Sequence, residues 1–306
     1  MIEIEKLKKL IDPSLITPGW REIPTDEYHA DKTAVNFSSL KHIEKSSHAF
    51  ARSYWGKPKK RTAAMRFGSI AHLAILEGHK FKQMVVVMPD FQSRTAAGVI
   101  TDSKNTNYYR MQVLEWELAQ DPKAIVVTTE DMDRILNMIE SVMSNEAAVN
   151  LIKRGKPEVI GYWTDKQTGI NLRLAGDLLA FDVEVLTDLK TCQDSRWELF
   201  RKNVESHRYD LQMAMYREGI YHITGIKPQH GAWLAVESQE PYETRIHEVG
   251  PKYETIGDFE FRRSIDKLKK SIDEKTFAHG KEEIMVGEPT VWFERKYIQL
   301  GVLNNE

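Results

Sequence analysis

Residues 176–191 read GDLLAFDVEVLTDLKT, two apolar runs that carry Asp177 and Asp188 eleven positions apart and Lys190 two positions further on. Side chains alternate along a strand, so Leu186, Asp188 and Lys190 share one face while Val185, Thr187 and Leu189 share the other. A turn centred between Asp182 and Val183 makes the segment a hairpin in which Asp177 lies directly opposite Asp188. Charge then occupies positions that ordinary sheet packing reserves for apolar side chains.

The reading extends one strand back. TDKQTG at 164–169 is a turn between PEVIGYW (157–163) and INLRLAGD (170–177). Centring it near Lys166 or Gln167 puts Glu158 close to Ala175 and within diagonal reach of Asp177. Three carboxylates and one lysine converge. Like charges repel unless a cation lies between them, and clustered oxygen ligands suit a hard ion such as Mg²⁺ or Mn²⁺. Held by Asp177 and Asp188, such an ion polarises a phosphodiester and activates water, and a second ion steadies the departing oxygen. Lys190 then orients the water, helps to deprotonate it, or offsets charge growing on the phosphorus. An isolated Asp-x-Lys is ordinarily a pair of surface salt bridges; the added carboxylates and their register set this one apart.

The 306 residues are 41% apolar and 29% charged, the composition of a globular protein in water. No apolar run approaches the length that crosses a bilayer, so no membrane association is expected. The start, MIEIEKLKKLIDPSL, lacks the apolar stretch of a secretory signal, so the expected location is cytoplasmic, in a bacterial or phage-infected cell. The single cysteine, Cys192, excludes an intrachain disulfide framework and a cysteine-rich zinc site. A net charge of -2 does not decide for or against nucleic acid, but its clustering is informative. From Arg52 to Arg66 the chain carries Lys57, Lys59, Lys60 and Arg61 with no acid, and Tyr54 and Trp55 stand within the run. A solvated loop would show this pattern; so would a phosphate-binding surface.

The first thirty residues, with Pro13, Pro18 and Pro24, read as an irregular arm. Ser38 is the expected cap of a helix through SLKHIEKSSHAFARSYW, and AAMRFGSIAHLAILEG reads as a helix ending at Gly78. FKQMVVVMP and AIVVT read as short strands, while NTNYYRMQVLEWELAQD and TEDMDRILNMIESVMSNEAAVNLI have helical spacing. Beyond the hairpins, HRYDLQMAMYREGIYHITG is a helix stopping before Gly225, HGAWLAVES and RIHEVG are strands, and a long charged helix covers 256–277. The expected fold class is α/β, a mixed central β-sheet flanked by helices with a helical N-terminal elaboration. We expect a single domain over 1–306, with 1–155 mainly helical and 156–306 holding the sheet.

The order Glu, Gly-Asp, Asp-x-Lys, then a helix with Gln-x-x-x-Tyr resembles the PD-(D/E)xK nuclease superfamily. Within its RecB-like branch it is most similar to the RecE-type exonuclease domains and their phage relatives, over about 37–222. NFSSLKHIEKSSHAFARSYW, TAAMRFGSIAHLAILEG, PEVIGYWTDKQTGINLRLAGDLL, TDLKT and YDLQMAMY follow that family's order. The resemblance implies that His72 contributes to the metal site, that Glu158 is the acid of the first core strand, and that Asp177 and Asp188 bind metal. It further implies that Lys190 is the motif lysine, Gln212 and Tyr216 the helix motif, and the Leu189 carbonyl a further metal ligand. Gly176 stands where that family usually has proline, a variation that leaves the carboxylate in place.

Each residue has a plainer reading: His72 as a core histidine, Gln212 and Tyr216 as packing on one helix face, Glu158 as an edge-strand charge. For DNA contact the candidates are Lys57, Lys59, Lys60, Arg61, Thr62 and Arg66 as phosphate ligands, with Tyr54 or Trp55 stacking on an end base. The leading expectation is a Mg²⁺-dependent exonuclease, Mn²⁺ substituting and two ions taking part, that enters at the ends of linear double-stranded DNA. The resemblance adds 5′-to-3′ polarity, a homo-oligomeric ring of three or four copies, and a single-strand annealing protein as partner in DNA recombination. Two rivals use the same core: a structure-specific or restriction-like endonuclease, and a non-catalytic DNA-end-binding scaffold.

Overall fold

The computed structural model of the chain describes residues 4–57, 61–277, 294–295 and 299. Its N-terminal part begins with α1 (Ile4–Lys9), β1 (Gly19–Arg21), α2 (Thr25–Ala30), α3 (Phe37–Leu40), α4 (Ser47–Tyr54), α5 (Ala63–Leu76) and α6 (Gly78–Met84). Small strands follow, β2 (Val85–Val87), β3 (Ser93–Arg94), β4 (Ile100–Thr101) and β5 (Ile125–Val127), with α7 (Asn107–Leu118) before β5 and α8 (Thr129–Ser144) and α9 (Glu146–Arg154) after it. The rest of the chain forms β6 (Lys156–Thr164), β7 (Asn171–Ala180), β8 (Val185–Cys192), α10 (Trp197–His207), α11 (Tyr209–Thr224), β9 (His230–Glu237), β10 (Thr244–Glu248) and α12 (Pro251–Asp273).

Side-chain caps decide where several of these helices start, by satisfying backbone N–H groups that the first turn leaves without partners. Asn36 caps α3, Ser46 caps α4, Thr62 caps α5 and Asn145 caps α9. The single helix expected from Ser38 is therefore two helices. Likewise α5 stops at Leu76, Gly78 opens α6 rather than closing α5, and residues 81–84 of the expected strand are helical. The expected arm is also corrected: β1 adds an edge strand to the main sheet through Trp20 opposite Gly161, and Leu7, Leu10 and Ile16 are buried. A three-residue strand among prolines has too little alternation to be read from sequence.

The main sheet has the order β1-β6-β7-β8-β9-β10, antiparallel throughout except for β8 beside β9, whose parallel pairing uses α10 and α11 as the crossover. Alternation along β9 sends Trp233 and Ala235 into one apolar layer and Leu234 and Val236 into the other. The first layer lies against α11 and α12, the second against α5 and α8. Both faces are covered, as the expected α/β class requires. No described helix is long and apolar enough to cross a membrane.

One irregularity of this sheet creates the site. The hairpin register is the expected one, Leu178 opposite Thr187, but the β7–β8 ladder runs only from that pair to Ala180 and Val185. Beyond it, β7 continues with β6 and β8 continues with β9, so the two strands part. Asp177 and Asp188 stand at the fork. The Asp177 carboxylate takes over from the ladder there, accepting the Leu189 N–H at 2.8 Å. The turn at 164–169 is centred one residue later than expected, so Glu158 falls opposite Asp177 and Ala175 pairs with Ile160.

Candidate active site

Thr62 starts α5, and at Gly68 the helix crosses close to β8: a Cβ there would stand 3.3 Å from the Thr191 hydroxyl. One turn further along the same side is His72, with Nδ1 3.7 Å from Asp177 Oδ2. From the other flank comes Glu158. Its φ of 50° lies in the left-handed region, and it interrupts the β6–β7 ladder between the Pro157 and Val159 pairings. A non-glycine residue costs about 1 kcal/mol or more there, a strain that persists only where its surroundings hold it. The distortion aims the Glu158 carboxylate inward, and one ligand atom each from His72, Glu158 and Asp177 lies within 4.8 Å of the others.

Asp188 and Lys190 occupy the α11 face of β8, as alternation dictates. Asp188 Oδ2 is 2.6 Å from the Lys190 ammonium, and Asp188 Oδ1 accepts from Gln212 Nε2 at 3.1 Å. The same amide turns its Oε1 to Lys190 Nζ at 3.3 Å, so Gln212 holds the acid and the base at once. Lys190 also lies 4.6 Å above the Tyr209 ring, and Tyr216 stands one turn beyond Gln212 on α11. Gln212 and Tyr216 are 8% and 6% exposed, so they orient their neighbours rather than offer a surface.

Burial sets the charges. It lifts the Glu158 carboxyl to about 8, helped by Asp177 and Glu77, and lifts Asp177 above its ordinary value against Lys190. It raises Asp188 to about 6 and lowers His72 to about 4, leaving a neutral imidazole with a lone pair. Lys190 is held firmly charged, because its own burial is outweighed by the carboxylates of Asp188 and Asp177. Asp188 Oδ2 is buried against the Lys190 ammonium, 2.6 Å away. Carboxyls resisting ionisation beside a neutral imidazole, with one ligand atom each from His72, Glu158 and Asp177 gathered within 4.8 Å, fit a divalent cation.

A family model described as "PDDEXK-like domain of unknown function (DUF3799)" matches residues 36–285. The chain belongs to this PDDEXK-like family. Among solved structures it is similar to a protein from Eubacterium rectale described as a candidate exonuclease, with 14% identity over 90% of this chain and 98% of that one and a TM-score of 0.56. That likeness concerns the fold. A second structure, described as SSO0001, shares 11% identity over 88% of this chain and 86% of that one, at a TM-score of 0.29. No curated protein matches the chain.

In this PDDEXK-like chain His72, Glu158 and Asp177 offer ligand atoms to one point, whereas Asp188, expected to join them, turns its oxygens to Lys190 and Gln212; Gly176 suits its place, since a Cβ there would already press Val159 at 3.1 Å. The expected DNA-contact run fares differently. Tyr54 is fully buried, stacked on Phe50 and donating its hydroxyl to the Ala34 carbonyl at 2.9 Å, so it cannot stack on a base. Trp55 packs its edge on Phe50, Tyr54 and Phe277. The reason is that α4 turns its aromatic side to the core. Thr62 is occupied as the α5 cap, Arg66 donates to the Arg61 carbonyl, and Lys57, Arg61 and Arg66 are exposed. Lys59 and Lys60 lie outside the described residues. Sequence reasoning gave no weight to Tyr209 as the support of Lys190, or to Gly68 as the close contact of α5; only the packing reveals them.

Proposed function

We propose that the chain is a metal-dependent nuclease, an exonuclease that degrades linear double-stranded DNA from its ends in the 5′-to-3′ direction. The observation that carries this reading is the gathering of Glu158, Asp177, Asp188 and Lys190 at the β7–β8 fork with His72 beside them. The name of the Eubacterium rectale relative agrees with the exonuclease reading.

His72, Glu158 and Asp177 would hold the ion, with Asp188 adjoining and the Leu189 carbonyl close by. A bound Mg²⁺ or Mn²⁺ supplies Lewis-acid polarisation of the phosphodiester and a lowered pKa for water. Lys190 presents its positive charge to the phosphorane-like transition state, and because the carboxylates keep it protonated it stabilises charge rather than accepting a proton. Gln212 bridges Asp188 and Lys190, donating to one Asp188 oxygen and accepting from the ammonium, and so fixes the orientation of both. A ring-shaped homo-oligomer, a single-strand annealing partner and a cytoplasmic setting complete the proposal, and these rest on the sequence resemblance.

The test is incubation of end-labelled linear and closed circular duplexes with Mg²⁺ or with EDTA. Loss of label from the linear form alone, dependent on metal and abolished by Asp188→Ala, supports the exonuclease. Cutting of the circle points to an endonuclease, and binding without cutting in the presence of Mg²⁺ overturns catalysis altogether.

A further inference from the structure

Lys41 is the last residue of note beside the site, and neither the sequence pattern nor the family match assigns it anything. It sits just after α3, on a short 3-10 turn over Lys41–Ile43 that packs on α12, while α3 packs on α11. The corner between α10 and α11 is tied to this segment. Arg208, at φ 60°, bonds Glu44 at 2.7 Å and Asp210 at 3.1 Å, so the flanking His207 and Tyr209 are brought to the same place. Tyr209 in turn carries the Lys190 ammonium on its ring.

The charges around this corner do not balance. Glu44 is spent on Arg208 and Arg263, Asp210 on Arg208, and Asp188 on Lys190 and Gln212. Lys41 is half-buried, and its ammonium has only the Phe37 ring, at 5.3 Å, among the described residues. The charged groups that act on it are cationic: Lys190 opposes its protonation, and both lysines oppose that of His207. A lysine free to move would turn away into water, and a structural one would have a carboxylate partner. An ammonium held half out of solvent with no carboxylate partner among the described residues is poised for an anion from outside the chain.

Resting on the nuclease reading above, we infer that Lys41, with His207 against Tyr209 at the same corner, binds a backbone phosphate of the DNA strand next to the one being cleaved. The strand would thus lie along the Lys190 side of the fork rather than along the exposed run near Lys57. The bond made is a charge-assisted contact to a non-bridging phosphate oxygen, which confers grip without reading bases.

The experiment uses the full chain with a linear duplex bearing a fluorophore, titrated with salt. Lys41→Met removes the charge and keeps the stem, Lys41→Arg restores a cation, and Lys8→Met, at an exposed pair with Glu5, is the control. In Mg²⁺ we expect Lys41→Met to raise KM about tenfold with kcat little changed, to lower the log–log salt slope of binding by about one, and Lys41→Arg to recover most of both. An unchanged KM and salt slope in Lys41→Met overturns the inference, as does a fall in kcat alone. Anisotropy binding of the same duplex in EDTA separates the two readings. If the wild type binds and never cuts, the nuclease reading fails, and the salt slope of Lys41→Met still decides whether Lys41 grips phosphate.

Discussion

Glu158→Gln offers the sharpest physical test of the site. In the folded chain its carboxyl is pushed from 4.5 to about 8, first by burial and then by Asp177 and Glu77. Because the folded value lies above the unfolded one, the native state binds this proton more tightly. Its stabilising effect is complete below the ordinary glutamate range and is lost as pH rises through about 8. At about 1.36 kcal/mol per pH unit the upper bound is about 5 kcal/mol, and partial exposure at the mouth of the site reduces it to about 2–3 kcal/mol. Glutamine keeps the shape of the neutral acid but cannot ionise. In EDTA, urea unfolding should find the variant and the wild type equally stable near pH 4, and the variant ahead by about 2–3 kcal/mol at pH 9. Adding Mn²⁺ should then raise the wild type and not the variant, since only a state that binds the ion gains from it. A stability difference that stays constant from pH 5 to 9, or one that favours the wild type as pH rises, would refute the reasoning.

Lys190→Ala should retain Mn²⁺ binding by calorimetry while losing about 10²-fold or more in turnover, because the ammonium acts on the transition state and is not an ion ligand; lost Mn²⁺ affinity would contradict that role. Gly219→Ala would bring a Cβ within 2.7 Å of the Trp163 ring and 2.8 Å of Leu174, so α11 must shift on the sheet. A loss of about 1–3 kcal/mol in chemical unfolding is expected, and an unchanged midpoint would mean that the helix has slack. Tyr54→Phe leaves the Ala34 carbonyl without its donor and should cost about 1 kcal/mol of stability while leaving DNA affinity untouched; a large affinity loss would return Tyr54 to the interface.

Much of the site was legible because strand alternation and hairpin register are local rules. They put Asp188 and Lys190 on one face and Asp177 across from Asp188, and the ladder through Leu178 and Thr187 has that register. Glu158 was placed near the cluster but opposite the wrong residue, since the position of a turn within TDKQTG depends on contacts outside it: Asp165 binds the Thr168 N–H and hydroxyl and also Arg262 of α12. Tyr54 is buried where a surface position was expected, because a basic run says nothing about which way its aromatic residues turn.

What the linear order of residues determined by itself is the inventory: three acids, a lysine and a histidine on elements of known period, with caps that set where the helices begin. Only the folded chain decided that β7 and β8 part company at Asp177, that α5 comes near enough at Gly68 to deliver His72, and that Lys41 has no carboxylate partner among the described residues. The physical reason is range. Periodicity and capping act over a few residues, whereas the divergence of two strands depends on partners tens of positions apart and the balance of charge at the corner on segments more than a hundred apart.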